Sequence, residues 1–245
     1  MKFKFFTFAL CTFFLGGSVC ANSVSNEKHG YGNGKNTDEL NRPTDAVAFN
    51  EQYKKYDASS MTDNPDEILL TFDQGYENGY TPKILDTLKE KDVKAIFFLT
   101  GSYVKSQPEL VQRMIDDGHT IGNHGMTHAS FPDIGTEECK NEIMDLHNLV
   151  SKQFGYEMRY LRMPCGEYSE SSLKTAQELG YKTLFWSFAY VDWITDKQPE
   201  PSAAFDTITS SAHGGAIYLL HSVSSTNAEI LGSVIDCLRG KGFKV

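Results

Sequence analysis

With 245 residues the chain has room for one large domain or two small ones, and a single α/β barrel reaches about this size. A formal net charge of −9 argues against general affinity for nucleic acid, whose phosphates it would repel. Of five cysteines, Cys11 and Cys20 lie near the N-terminus, and the remaining three, odd in number and widely spaced, do not make a disulfide framework.

The N-terminus opens with Lys2 and Lys4, an apolar run Phe5–Leu15, and small residues up to Val19-Cys20-Ala21. This is the order of a secretory signal peptide, and the run is short for a spanning helix. Residues 1–21 are therefore expected to be a signal cleaved after Ala21. Lipidation at Cys20 and retention as an uncleaved signal anchor are the alternatives. The expected location is exported: the cell envelope or the medium. Cys139, Cys165 and Cys237 lie beyond the signal and read as packed or free thiols.

Residues 22–65 are polar, with few periodic apolar positions, and read as a linker or wrapping segment, part of it disordered. From residue 66 short apolar runs alternate with amphipathic stretches. Ile68–Phe72 reads as a strand. Thr81-Pro82 opens a helix whose apolar face is Ile84, Leu85 and Leu88. Strands follow at Ala95–Leu99, Thr120–Gly122, Tyr160–Leu161, Thr183–Trp186 and Ala216–Leu220, and Phe243–Val245 reads as a closing strand. Helices are expected over Pro108–Asp117, Glu137–Phe154, Ser171–Leu179 and Ala203–Ala212. Asn227 is placed to cap a last helix to Arg239. A parallel barrel, closed or incomplete, fits this alternation better than an open sheet.

Such barrels carry their active site at the C-terminal strand ends. The first strand ends at Asp73, with Gln74, Gly75 and Tyr76 next. The third runs into His124, with His128 four residues on. Arg162 follows the fourth strand, Asp192-Trp193 the fifth, and His221 ends the sixth. The i, i+4 histidines can share a metal ion on one side of a helical turn. Taken singly, Asp73 could cap a turn, Arg162 could be a structural ion-pair partner, and His221 could be a core imidazole. Five strands aiming ionisable groups at one rim favour a catalytic site.

TFDQG, HGMTH, RMPCG, DW and LLH, in that order, resemble the five motifs of the polysaccharide deacetylases, the NodB-homology or carbohydrate esterase family 4 group, over residues 66–245. The run Thr71–Pro82, FWSFAYVDW (185–193) and GAIYLLHSVSSTNAE (215–229) resemble its delta-lactam-biosynthetic subgroup, the peptidoglycan N-acetylmuramic acid deacetylases of spore formers. The resemblance implies a distorted (β/α)7 TIM-like barrel. It implies Asp73 as general base, His124 and His128 as metal ligands, and Arg162 as the residue orienting the base. It also implies the Cys165 N–H as oxyanion donor, His221 as general acid tuned by Asp192, and Trp193 as a wall of the acetyl pocket. Gly75 is expected to form a turn clearing the site, with Tyr76 beside it. The implied partner is a peptidoglycan glycan strand, and no feature speaks to an accessory protein.

Two positions depart from the family pattern. Gln74 stands where the family usually has a third, anionic metal ligand, and Gly125 where it has Ser or Thr. A carboxamide offers only a neutral oxygen, so the expected divalent ion (Zn, Co, Ni or Mn) is held more loosely and stays more strongly polarising. The subgroup tends to carry a carboxamide there. An N-acetylglucosamine or chitin-type deacetylase, and a non-catalytic glycan-binding protein on the same fold, are the competing readings.

Overall fold

The computed structural model describes residues 24–245; the expected signal segment 1–21 lies outside the described residues. The first half contains β1 (His29–Gly30), α1 (Thr44–Tyr53), β2 (Ala58–Ser59), β3 (Ile68–Gln74), α2 (Thr81–Glu90), β4 (Ile96–Leu99), α3 (Gly101–Ser106), α4 (Pro108–Asp116) and β5 (Thr120–Asn123). The second contains α5 (Thr136–Phe154), β6 (Tyr160–Leu161), β7 (Glu167–Tyr168), α6 (Glu170–Glu178), β8 (Lys182–Leu184), β9 (Phe188–Ala189), α7 (Pro201–Ser210), β10 (Ala216–His221) and α8 (Ser225–Gly240).

Eight strands form one curled sheet in the order β2-β8-β6-β5-β4-β3-β10-β9. Every neighbouring pair is parallel. The sheet curls into an incomplete (β/α) barrel, the architecture the alternation predicts. Its open side is laced near the strand starts, where Met61 bridges Ala216 and the Thr62 N–H donates to the Gly215 carbonyl at 2.8 Å. β3 sits centrally and is almost wholly buried, which explains its unbroken apolar start. The helices cover the outer face. Cys139, Ile143, Leu146 and Val150 make the buried stripe of α5, which ends at the left-handed Gly155.

Several expectations change. The stretch 22–65, read as a linker, carries a helix and two short strands from residue 24 onward. Ala46, Phe49 and Tyr53 recur at helical spacing, and all three are buried. Phe49 packs against Tyr31, Tyr53, Tyr168 and Phe185 at ring separations of 4.7 to 5.5 Å. β1 pairs antiparallel with β7, and the Ser25 carbonyl accepts from the Ser171 N–H at 2.9 Å. Three aromatic anchors in a polar run were too sparse to signal this. The closing strand reduces to one bridge, Lys244 to Glu67. Asn227 does not cap the last helix; Ser224 does, its hydroxyl accepting from the Asn227 N–H at 3.0 Å. The three cysteines in the described residues are free, with Cys139 buried and Cys165 exposed.

Candidate active site

The strand ends deliver the predicted residues to one rim. Asp73, in β3, is nearly buried and accepts from Arg162 Nη1 through Oδ1 at 2.9 Å. Arg162, just past β6, is fully buried. Each of its nitrogens is engaged: Nη1 also reaches Thr71 Oγ1 (2.8 Å), Nε the Leu184 carbonyl (3.0 Å) and Nη2 the Phe185 carbonyl (3.1 Å). The guanidinium lies over the Phe98 ring, 4.2 Å from its centroid. So rigid a cation fixes the carboxylate it touches. Burial alone would raise the Asp73 pKa, but Arg162 and the nearby imidazoles outweigh it and hold the carboxyl below its usual range.

His124 and His128 bring their Nε2 atoms to 3.2 Å. Burial pushes the His124 pKa down to about 4 and lowers that of His128 as well, so both rings are neutral near pH 7. His124 Nδ1 lies 2.9 Å from the Arg162 carbonyl, an acceptor only, so Nδ1 carries the proton and Nε2 the lone pair. That lone pair also faces Asp73 Oδ2 at 3.5 Å. Electron-rich atoms at such separations favour a cation between them. Two ligand nitrogens on one tetrahedral ion at about 2.0–2.1 Å would sit roughly 3.3 Å apart, so the pair fits a metal. Among the described residues no set of three or more His, Cys, Asp or Glu side chains has metal-holding geometry. Gln74 donates through Nε2 to Ser222 Oγ, and its buried Oε1 has no hydrogen-bond partner. That orphaned carbonyl is a neutral donor in need of a cation or proton.

On the neighbouring strand, β10, His221 Nδ1 meets Asp192 Oδ1 at 2.7 Å. Burial opposes a charge on His221, but the hydrogen bond and charge of Asp192 raise its pKa above the ordinary value. Trp193, about half exposed, leans over His221 with ring centroids 5.4 Å apart. Cys165 sits at φ +59, a left-handed backbone that a side chain rarely adopts, with Sγ 3.9 Å from His128 Nδ1. His128 is left-handed too, at φ +64. Tyr76 is exposed at the bend after β3.

The chain bends at Gly75 as expected, but the bend does not require glycine. Gly75 has no left-handed backbone, and a Cβ there would meet nothing within 4 Å. Its carbonyl instead accepts from Ser102 Oγ at 3.1 Å, tying the bend to α3. Gly125 has a steric cause. It lies at φ +80, and a Cβ would come within 3.2 Å of Glu142 Oε2 and Pro164 Cγ. Sequence reasoning missed Thr71, which shares Arg162 with Asp73, and Ser222, which holds Gln74. It also missed Asn227, whose amide donates to Asp192 Oδ2 at 2.6 Å. Asn227 stands in a quoted motif, but its partner is 35 positions away.

An incomplete parallel barrel with a clamped carboxylate, an imidazole pair and an imidazole–carboxylate dyad on one rim has the layout of a barrel hydrolase. The polysaccharide deacetylase family model matches residues 60–184, and the chain belongs to that family. The chain is 42% identical to the Bacillus subtilis peptidoglycan-N-acetylmuramic acid deacetylase PdaA over 93% of its own length and 87% of the relative's. The solved structure of that protein, a family 4 carbohydrate esterase, superposes with a TM-score of 0.85 over 90% of this chain and 95% of its own. A family 4 carbohydrate esterase from Bacillus anthracis gives a TM-score of 0.74 at 38% identity, covering 91% and 94%. A Bacillus cereus peptidoglycan-N-acetylglucosamine deacetylase is 35% identical over 74% of this chain and 66% of its own.

Proposed function

We propose that this chain hydrolyses the acetamide of N-acetylmuramic acid in peptidoglycan, a step toward muramic delta-lactam in the spore cortex. The observation that carries this reading is a clamped carboxylate and a raised-pKa imidazole on adjacent strand ends, in a chain similar to a muramic acid deacetylase over nearly its whole length.

An amide is a weak electrophile with a poor leaving group. Asp73, kept ionised by Arg162, takes a proton from the attacking water. The Cys165 N–H stabilises charge developing on the carbonyl oxygen. His221, whose protonated form Asp192 favours, gives its proton to the departing nitrogen, and acetate and a free amine leave. A divalent ion held by His124 and His128 would polarise the carbonyl and acidify water. Trp193 and Tyr76 offer exposed aromatic faces to a sugar. The freed muramic amine can then close on its own lactyl carboxyl. Export through the N-terminal signal would bring the enzyme to this substrate.

Mass spectrometry of peptide-stripped glycan, run beside an N-acetylglucosamine polymer, tests the reading. Loss of an acetyl mass from muramic acid is expected. Loss from glucosamine alone would favour the activity of the B. cereus relative. No loss from either would favour a glycan-binding role, a reading that the neutral Gln74 makes worth testing.

A further inference from the structure

We propose that Asn227 is the positioning residue of the acid: its carboxamide holds Asp192 in the orientation that presents one oxygen to His221. The inference rests on the reading of His221 as the group that protonates the departing amine.

Asn227 lies in the first turn of α8 and is 1% exposed. Its Nδ2 donates to Asp192 Oδ2 at 2.6 Å and to the His221 carbonyl at 3.2 Å. Its Oδ1 accepts from the Tyr190 hydroxyl. Chemistry fixes the orientation of the amide. A carboxylate and a carbonyl oxygen can only accept, so the NH2 end must face both.

Asp192 Oδ2 also takes the His221 backbone N–H at 2.8 Å. Two donors thus occupy that oxygen, and Oδ1 is left to His221 Nδ1 at 2.7 Å. With both oxygens engaged the carboxylate cannot turn. The proton on His221 Nδ1 is fixed in turn, which leaves Nε2 to give a proton to the substrate. The fully buried Asp192 has no solvent to take Asn227's place.

A second tie joins the same elements without touching the carboxylate. Gln198 Nε2 donates to the Asp192 and Ile194 carbonyls at 2.8 and 2.9 Å, and its Oε1 accepts from the Ser224 hydroxyl. Gln198 therefore anchors the loop to α8 by its backbone. The capping of α8 by Ser224 is likewise complete without the Asn227 side chain. What remains for that side chain is the orientation of Asp192.

The test compares Asn227→Ala, Asn227→Asp and Tyr190→Phe with wild type and His221→Ala, using N-acetylated muramic glycan. In Asn227→Ala, kcat should fall about 10- to 100-fold with KM within about twofold, because orientation rather than binding is lost. The low-field proton signal of the His221 Nδ1–H to Asp192 bond should broaden or vanish in the same variant. Asn227→Asp keeps the shape but loses the donor, and should be at least as impaired. Tyr190→Phe should lose less than tenfold. Wild-type kcat with an intact low-field proton in Asn227→Ala overturns the proposal. If that variant does not fold, wild-type kcat in Asn227→Asp overturns it instead. An inactive His221→Ala beside an unaffected Asn227→Ala overturns this inference alone. Wild-type kcat in His221→Ala overturns the acid reading and this inference with it.

Discussion

Asp73 and His221 are register partners on adjacent parallel strands, the last pair of an unbroken ladder that runs from Ile68–Ala216 to Asp73–His221. The residues proposed as base and acid are therefore spaced by backbone hydrogen bonds rather than by loops. A slip of one residue in either strand would turn that strand's side chain to the other face of the sheet and part the pair. The reactive groups inherit the rigidity of the most buried part of the barrel.

The dyad makes a pH prediction. Because the folded pKa of His221 is raised, its protonated form persists to higher pH than that of a free imidazole and is lost as pH rises through the folded value. The stability it contributes is fully present below the unfolded pKa of about 6.5 and disappears over the same rise. Asp192→Asn removes the cause, so the alkaline limb of kcat should move to lower pH. Activity at pH 8 should fall by about 10²-fold or more, with less loss at pH 6. A pH–rate profile that keeps its alkaline limb would contradict this.

Arg162→Met leaves Asp73 almost buried with no guanidinium to balance its charge. Removing one partner of a buried pair costs about 3–5 kcal/mol, so the denaturant midpoint should drop sharply. Adding Asp73→Asn to that variant should restore part of the stability and none of the activity. If the double variant is no more stable than Arg162→Met, the charge is not what Arg162 is there to balance.

Gln74→Asp replaces the unpartnered carbonyl at position 74 with an anionic oxygen, and the expectation that this position faces the ion is tested by metal affinity. Zinc or cobalt affinity, measured by competition with a chromogenic chelator, should tighten by at least about tenfold, or 1.4 kcal/mol. Unchanged affinity would mean that position 74 does not face the ion. The hydrogen bond to Ser222 would then be the whole of its role.

Phe49→Ala should lower stability by about 3–5 kcal/mol, because the ring sits among four other aromatic side chains. The same change should reduce kcat. Tyr31, in this cluster, donates its N–H to the Gly166 carbonyl at 2.8 Å, directly after Cys165. Calorimetry and turnover on one preparation would separate the two effects. A loss of stability with full kcat would detach the N-terminal segment from the active site.

The rim was legible because strand ends are written locally. An apolar run that stops at Asp73, or at His221, announces both the strand and the residue it delivers. Asn227 was read as a cap because Asn is a good one, but so is Ser224 three positions earlier, and a side chain already bonded to Asp192 is not free to cap. Thr71 and Ser222 act through contacts across 91 and 148 positions, which no local pattern records. α1 hid behind a polar composition, and β9 is two residues long, below what periodicity resolves. The bend expected at Gly75 forms, but its backbone would accept other residues.

The bond between the Ser25 carbonyl and the Ser171 N–H sets a leash. Three residues, 22 to 24, separate it from the expected cleavage site after Ala21. Fully extended, the four steps from Ala21 to Ser25 reach about 14 Å. If the leader is retained as an anchor, the barrel is held against the membrane and works only on glycan within a shallow layer above it. If the leader is cleaved, nothing limits the enzyme's range but the mesh of the wall.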